Sequence, residues 1–172
     1  MKHLKDIKNK LDWEKYYNPD FDWDDYKFYL HNKLSENFIR EFQDKVDWDE
    51  VSRCQKLSEG FIREFQDKVN WKYISIIQKL SEEFIEEFQD KLYWKNISGY
   101  QELSVEFIKK FRHKINWEIL SCSKYIDEDT LRKFQYSIDW DRVSRFAEFR
   151  FLTDKQLSEK FIEEFQNKLD LS

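Results

Sequence analysis

The sequence predicts an all-α fold, an α-solenoid of stacked short helix-turn-helix repeats with a 23-residue period. Three observations carry this expectation. Tryptophans recur at Trp48, Trp71, Trp94, Trp117 and Trp140, each 23 residues after the last. Within a unit, apolar residues follow i, i+1, i+4, i+8 spacing, as at Phe38, Ile39, Phe42 and Val46, a stripe about 100° wide on a helix. The 172 residues include only 2 Gly and 1 Pro, far too few turn formers for an all-β chain. One such unit cannot bury its Phe, Ile and Trp alone. Stacked neighbours can, through a continuous core of nearest-neighbour contacts.

In chain order, residues 1–33 read as an irregular N-terminal cap. Ile7 to Trp13 aligns with Phe42 to Trp48 without a gap, as the tail of a repeat whose beginning is missing. Asn18-Pro19 marks a turn, and Phe21-Asp22-Trp23 restarts the apolar-Asp-Trp signature. Five tandem repeats occupy residues 34–148, starting at Leu34, Leu57, Leu80, Leu103 and Ile126. Residues 149–172 hold an insertion and a half repeat. The next start, Leu157, comes eight residues late, and Phe146, Phe149, Arg150, Phe151 and Leu152 predict a lengthened, packed helix rather than a loose loop.

Each repeat predicts two helices. Helix A opens at Ser35, Ser58, Ser81 or Ser104, with Asp127 in the fifth unit; such side chains accept a hydrogen bond from a free backbone N–H. Glu36, Glu59, Glu82 and Glu83 fall in the first turn, and Lys45, Lys68, Lys91 and Lys114 are expected in the last, as the helix dipole favours. Helix B is short, roughly Trp48 to Lys56, with Asp47, Asn70, Asn116 or Asp139 as N-cap. Asp47 with Glu50 resembles a capping box, whereas Tyr93 leaves the third unit with a weaker cap or none. Trp48, Val51, Ser52 and Gln55 share its inner side. A coiled coil fails because no heptad survives the Ser-Glu and Asp-Trp junctions. A β-solenoid fails because the apolar spacing is not alternating.

The phrases LSENFIREFQDKVDWDEVS, LSEGFIREFQDKVNWKYIS and LSEEFIEEFQDKLYWKNIS resemble repeats of giant DNA viruses of amoebae, the mimivirus relatives. The resemblance covers roughly Leu34 to Leu171, and Cys122 to Leu157 depart most from it. It implies architecture and viral origin, not an activity.

Composition bounds function. Net charge is -5, from 30 basic and 35 acidic residues, which argues against nonspecific affinity for nucleic acid or anionic membrane. Cys54 and Cys122 stand at different repeat phases, so a reducing compartment is expected. The N-terminus lacks a signal-peptide core and no long apolar run exists, so a cytoplasmic location is expected, in the host if viral. His3, His31 and His113 are isolated, and neither Cys has a second ligand at zinc spacing. No glycine-rich phosphate loop or nucleophile–base signature is present. The expectation is therefore a non-enzymatic protein with no cofactor.

In repeat proteins the frame recurs and the recognition surface varies. Recurring Ser52, Ser75, Ser98, Ser121 and Ser144 read as frame, each bonding a carbonyl one turn back. Gln43, Gln66, Gln89, Gln135 and Gln166 read as an inter-unit ladder. The outer face of helix B varies instead, and its middle is apolar, as expected of a contact surface or of a helix tucked inward. Arg53, Tyr73, Ile76, Ile77, Tyr100, Ile119, Arg145 and Phe146 are the candidate partner-binding residues. The first expectation is a protein partner, host or viral, docking on this strip. The second is self-assembly into a homo-oligomer through the terminal half repeat. The third is modular single-stranded RNA binding, disfavoured by charge but kept open by Arg53, Lys72, Lys95, Arg142 and Arg145.

Overall fold

The computed structural model describes residues 16–150 and 157–169, with the side chains of residues 146–150 outside that description. The alignment of Ile7 to Trp13 and the packing of Phe146, Phe149, Phe151 and Leu152 therefore lie outside the described residues. Among those described, twelve helices and no strand are present, and no helix is long and apolar enough to cross a membrane. Helix α1 (Tyr26–His31) closes the cap. Five A/B pairs come next: α2 (Glu36–Glu41) and α3 (Trp48–Cys54), α4 (Glu59–Glu64) and α5 (Trp71–Ile77), α6 (Glu82–Glu87) and α7 (Trp94–Tyr100), α8 (Val105–Lys110) and α9 (Trp117–Leu120), α10 (Glu128–Lys133) and α11 (Trp140–Arg150). Helix α12 (Glu159–Phe165) is the helix A of the last half unit. The chain is an all-α repeat solenoid, and α11 extends past the usual helix-B length.

Helices of six or seven residues do not persist alone in water, so caps and packing hold them. The side chains of Ser35, Ser58, Ser81, Ser104 and Ser158 each accept the N–H three residues on. Asp47, Asn70 and Asn116 cap helix B; Tyr93 forms no side-chain cap. Two expectations need correcting. Helix A ends one turn early, at Glu41, Glu64, Glu87 or Lys110, because the chain tightens there. The N–H groups of Lys45 and Val46 both donate to the Phe42 carbonyl, at 2.8 and 3.0 Å. Lys45 and its counterparts thus stand beyond the helix. The Asp47–Glu50 box forms only by half: the Asp47 N–H donates to Tyr29 Oη at 2.7 Å, and Glu50 pairs with Arg53 instead.

Phe38, Ile39, Phe42, Val46 and Val51, with their counterparts, make the buried core. Trp48, Trp71, Trp94 and Trp140 each lie against two phenylalanines of the following unit. The nearer ring centroid is 4.9–5.3 Å away and the farther 6.2–6.4 Å. Between units, backbone approaches are closest along the helix-B row. The fully buried Ser52, Ser75 and Ser98 leave room for this.

Those hydroxyls do more than the sequence suggests. Ser52, Ser75, Ser98 and Ser121 donate to the Trp carbonyl one turn back at 2.6–2.7 Å. Each also accepts the N–H of Asn70, Tyr93, Asn116 or Asp139 in the next unit at 2.9–3.0 Å. In the cap, Tyr29 takes over both tasks. Its hydroxyl donates to the Trp23 carbonyl at 2.9 Å while accepting from Asp47. Burial pushes its pKa up to about 12. Tyr29→Phe keeps the ring and strands two backbone groups. It should cost about 1–3 kcal/mol, read as a lower urea midpoint at unchanged slope. Above pH ~10 the wild type should lose this advantage progressively, since the unfolded tyrosine ionises before the folded one.

Candidate interaction cleft

The frame is closed on the helix-B side by buried glutamines. Gln55, Gln78 and Gln101 are 3–4% exposed. The Oε1 of Gln78 accepts the Leu57 N–H at 3.0 Å, and its Nε2 donates to the Gln55 carbonyl at 2.8 Å. Gln101 does the same toward Leu80 and Gln78, at 3.1 and 2.9 Å. Each amide thereby ties its helix B to the one before it.

In the fourth unit the register of these glutamines falls on Lys124. An ammonium has donors only, so it cannot accept the Leu103 N–H. Helix α9 also stops early, at Leu120, and Ser123 makes a substitute tie, its hydroxyl donating to the Gly99 carbonyl at 3.0 Å. Where the regular closure is missing, two adjoining hollows open, one across units two to four and the other between units three and four. One, of about 410 Å³, is lined by Ile76, Ile77, Lys79, Tyr100, Glu102, Lys124 and Tyr125 among others. The other, of about 460 Å³, is lined by Lys95, Asn96, Gly99, Ile119 and Cys122. Tyr100 and Lys124 belong to both.

Gly99 permits the close approach of α7 and α9. A Cβ there would stand 2.7 Å from Cγ2 of Ile119. Gly99→Ala returns about 1 kcal/mol of helix propensity but overpacks the contact, which costs about 1–3 kcal/mol. The variant should be less stable than the wild type, and adding Ile119→Ala should recover much of the loss. A double-mutant cycle in urea reads the coupling; additive effects would show that the contact is unimportant.

Four of the eight sequence candidates converge here: Ile76, Ile77, Tyr100 and Ile119. Ile77 is 50% and Tyr100 53% exposed, while Tyr73, Ile76 and Ile119 are half-buried. The strip is thus a surface with a partly buried base. Tyr73, Arg53 and Arg145 do not line the hollows. Arg53 is held by Glu50, and Arg145 Nε donates to the Asp141 carbonyl at 3.3 Å. The Phe146 side chain lies outside the described residues. Sequence reasoning missed Lys79, Glu102, Lys124 and Tyr125. Their signal was a lysine at the glutamine register.

The rim is cationic. Lys79, Lys95 and Lys124 are exposed and form no ion pair among the described residues; Lys124 Nζ sits 4.8 Å from the Tyr125 ring centre. The Cys122 thiol is pushed up by burial, and that of Cys54 by burial and then by Glu50, which disfavours the nucleophilic thiolate in both. Among the described residues no group of His, Cys, Asp and Glu could hold a metal ion. Chemically, the cleft offers a place for an apolar side chain beside an attractive field for anions. No known protein family, curated protein or solved structure matches this chain.

Proposed function

We propose that the chain is a non-enzymatic helical-repeat scaffold that binds a protein partner on the outer face of its helix-B row, centred on Tyr100. One observation carries this reading. The frame closes itself with repeated hydrogen bonds up to Gln101, and where that closure ceases a cleft opens with Ile77 and Tyr100 exposed beside it. Apolar side chains half out of water at a break in an otherwise saturated frame are the usual anchors of a protein contact.

The test pairs Ile77→Asp/Tyr100→Asp with a control on the opposite helix, Glu83→Lys. Both alter exposed positions, so both should fold as the wild type does. A partner purified on the wild type and then bound as an isolated protein should lose affinity about 100-fold or more with the first variant and keep it with the control. Equal binding to all three would defeat the reading.

A further inference from the structure

We infer that the occupant of the Tyr100 cleft is an acidic peptide segment that seats one aromatic or aliphatic side chain between flanking carboxylates. This rests on the reading just given and adds the chemistry of the partner. The argument is charge complementarity. Most cations near helix A are already engaged: Arg40 with Glu64, Arg63 with Glu87, and Lys68, Lys91 and Lys114 with Asp44, Asp67 and Asp90. Around the cleft the pattern reverses. Lys79, Lys95 and Lys124 approach it from three different units, all exposed and without an ion pair among the described residues.

The acidic groups nearby leave this field largely uncancelled. Glu102 is the single carboxylate lining either hollow, and the nearby Glu118 is paired with Arg142. On a chain of net charge -5, these three ammonium groups surround the exposed apolar contact. The hollows supply the other half of the recognition. Gly99 has no side chain, and Ile119, Ile77 and the Tyr100 ring offer apolar walls to an inserted side chain. The lysine stems can cover that side chain while their heads meet carboxylates on either side.

Charge at the rim steers and selects more than it binds, so the apolar anchor and the lysines should fail differently. The probe is a phage-displayed library of random 12-residue peptides selected on the full chain at low salt, with the Tyr100→Asp variant used for counter-selection. The expected motif carries Asp or Glu on both sides of a Trp, Phe, Leu or Ile. A selected peptide, synthesised, should bind Lys79→Glu/Lys95→Glu/Lys124→Glu about 30-fold more weakly than the wild type. Raising salt from 50 to 500 mM should erase most of that difference.

Neutral or basic motifs that are lost with Tyr100→Asp overturn the acidic occupant and leave the cleft as a binding site. No enrichment, or motifs that bind the Tyr100→Asp variant equally, overturn both. Binding of a single-stranded oligouridylate at low salt that is abolished by the triple lysine reversal but untouched by Tyr100→Asp also overturns the inference, since the lysines would then serve a nucleic-acid backbone.

Discussion

Replacing Gln78 by alanine should destabilise the stack by roughly 3–5 kcal/mol, far more than loss of a polar side chain usually costs. The amide is 4% exposed and spans two units, accepting from Leu57 and donating to Gln55. Alanine leaves a backbone N–H and a backbone C=O without partners in a place water does not reach, at about 1–3 kcal/mol each, and adds a void. Gln43→Ala is the matched control. That side chain is half-buried and, among the described residues, accepts only from Lys68, at 3.1 Å, so its loss should stay within about 1 kcal/mol. Urea midpoints of the two variants separate these roles.

Gln78→Glu sharpens the point, since it keeps the shape and alters one proton. The ionised carboxylate can accept from Leu57 but cannot donate to Gln55, and it places a charge in the core. Its folded-state pKa should therefore rise above the ordinary ~4.3. The protonated form stabilises the fold below that ordinary value, and the benefit is lost as pH climbs through the raised one. Relative to the wild type, the deficit should be smaller at pH ~4 than at pH ~7. A deficit independent of pH would mean that the amide only fills space.

Helix type, order and register were legible because the 23-residue beat repeats every signal several times. Phe38, Ile39 and Phe42 announce a buried face, Ser35 a helix start, and Tyr93 a missing cap. What escaped was contact between units, which no single-unit pattern encodes. Lys68 looks like a helix terminator for its own unit. In the fold it crosses to Asp44 and Gln43 and lies over the Trp48 ring. The row Gln43, Gln66, Gln89 was expected as a ladder, and it forms one only through these lysines. Tyr29 stands 23 residues before Ser52, at the serine register, and meets the N–H 18 residues on as the serines do; its bulk and its carbonyl partner six rather than four residues back hid that role. The cleft was half legible. Its apolar members stood out as variable positions, whereas Lys124 and Tyr125 come to the cleft only through contacts between units, where a lysine replaces the closing glutamine.

Several of the devices that join neighbouring units are missing between units four and five. Glu36, Glu59 and Glu82 accept the N–H of Ser58, Ser81 and Ser104 at 2.6–2.7 Å; the next such position is Val105. Phe107 becomes Thr130, so Trp117 keeps one ring neighbour, Phe134 at 5.3 Å. Lys114 becomes Ser137 and Asp90 becomes His113, so the lysine over the preceding Trp disappears along with its ion pair. Where Arg63 meets Glu87, this junction sets Lys109 and Lys133, two like charges.

Two helix-B ties survive, with Ser121 accepting from Asp139 and Glu118 paired with Arg142, although the glutamine register falls on Ala147. Beyond the fifth unit the frame resumes: Glu128 takes the Ser158 N–H at 2.6 Å, and Arg132 meets Glu164 at 2.9 Å. The buried residues divide accordingly into two clusters. Phe107 and Phe111 close the first, while Ile108 joins Ile115, Leu120 and the later core residues in the second.

In a stack whose stability is a sum of units and interfaces, one weak interface separates cooperative blocks. A lost aromatic contact, a lost charge-assisted hydrogen bond and lost surface ion pairs together amount to about 2–4 kcal/mol. Native-state hydrogen exchange should therefore show α10 to α12 opening at a free energy lower than α4 to α7 by about that amount. Val105→Glu combined with Lys133→Glu and His113→Asp/Ser137→Lys restores the polar devices on the surface without touching the core. It should raise the opening energy of the C-terminal block by about 1–2 kcal/mol and leave α4 to α7 where they were. One common exchange plateau in the wild type, from α4 through α12, would show that the helix-B ties alone keep the stack cooperative. The boundary would then be chemical but not mechanical.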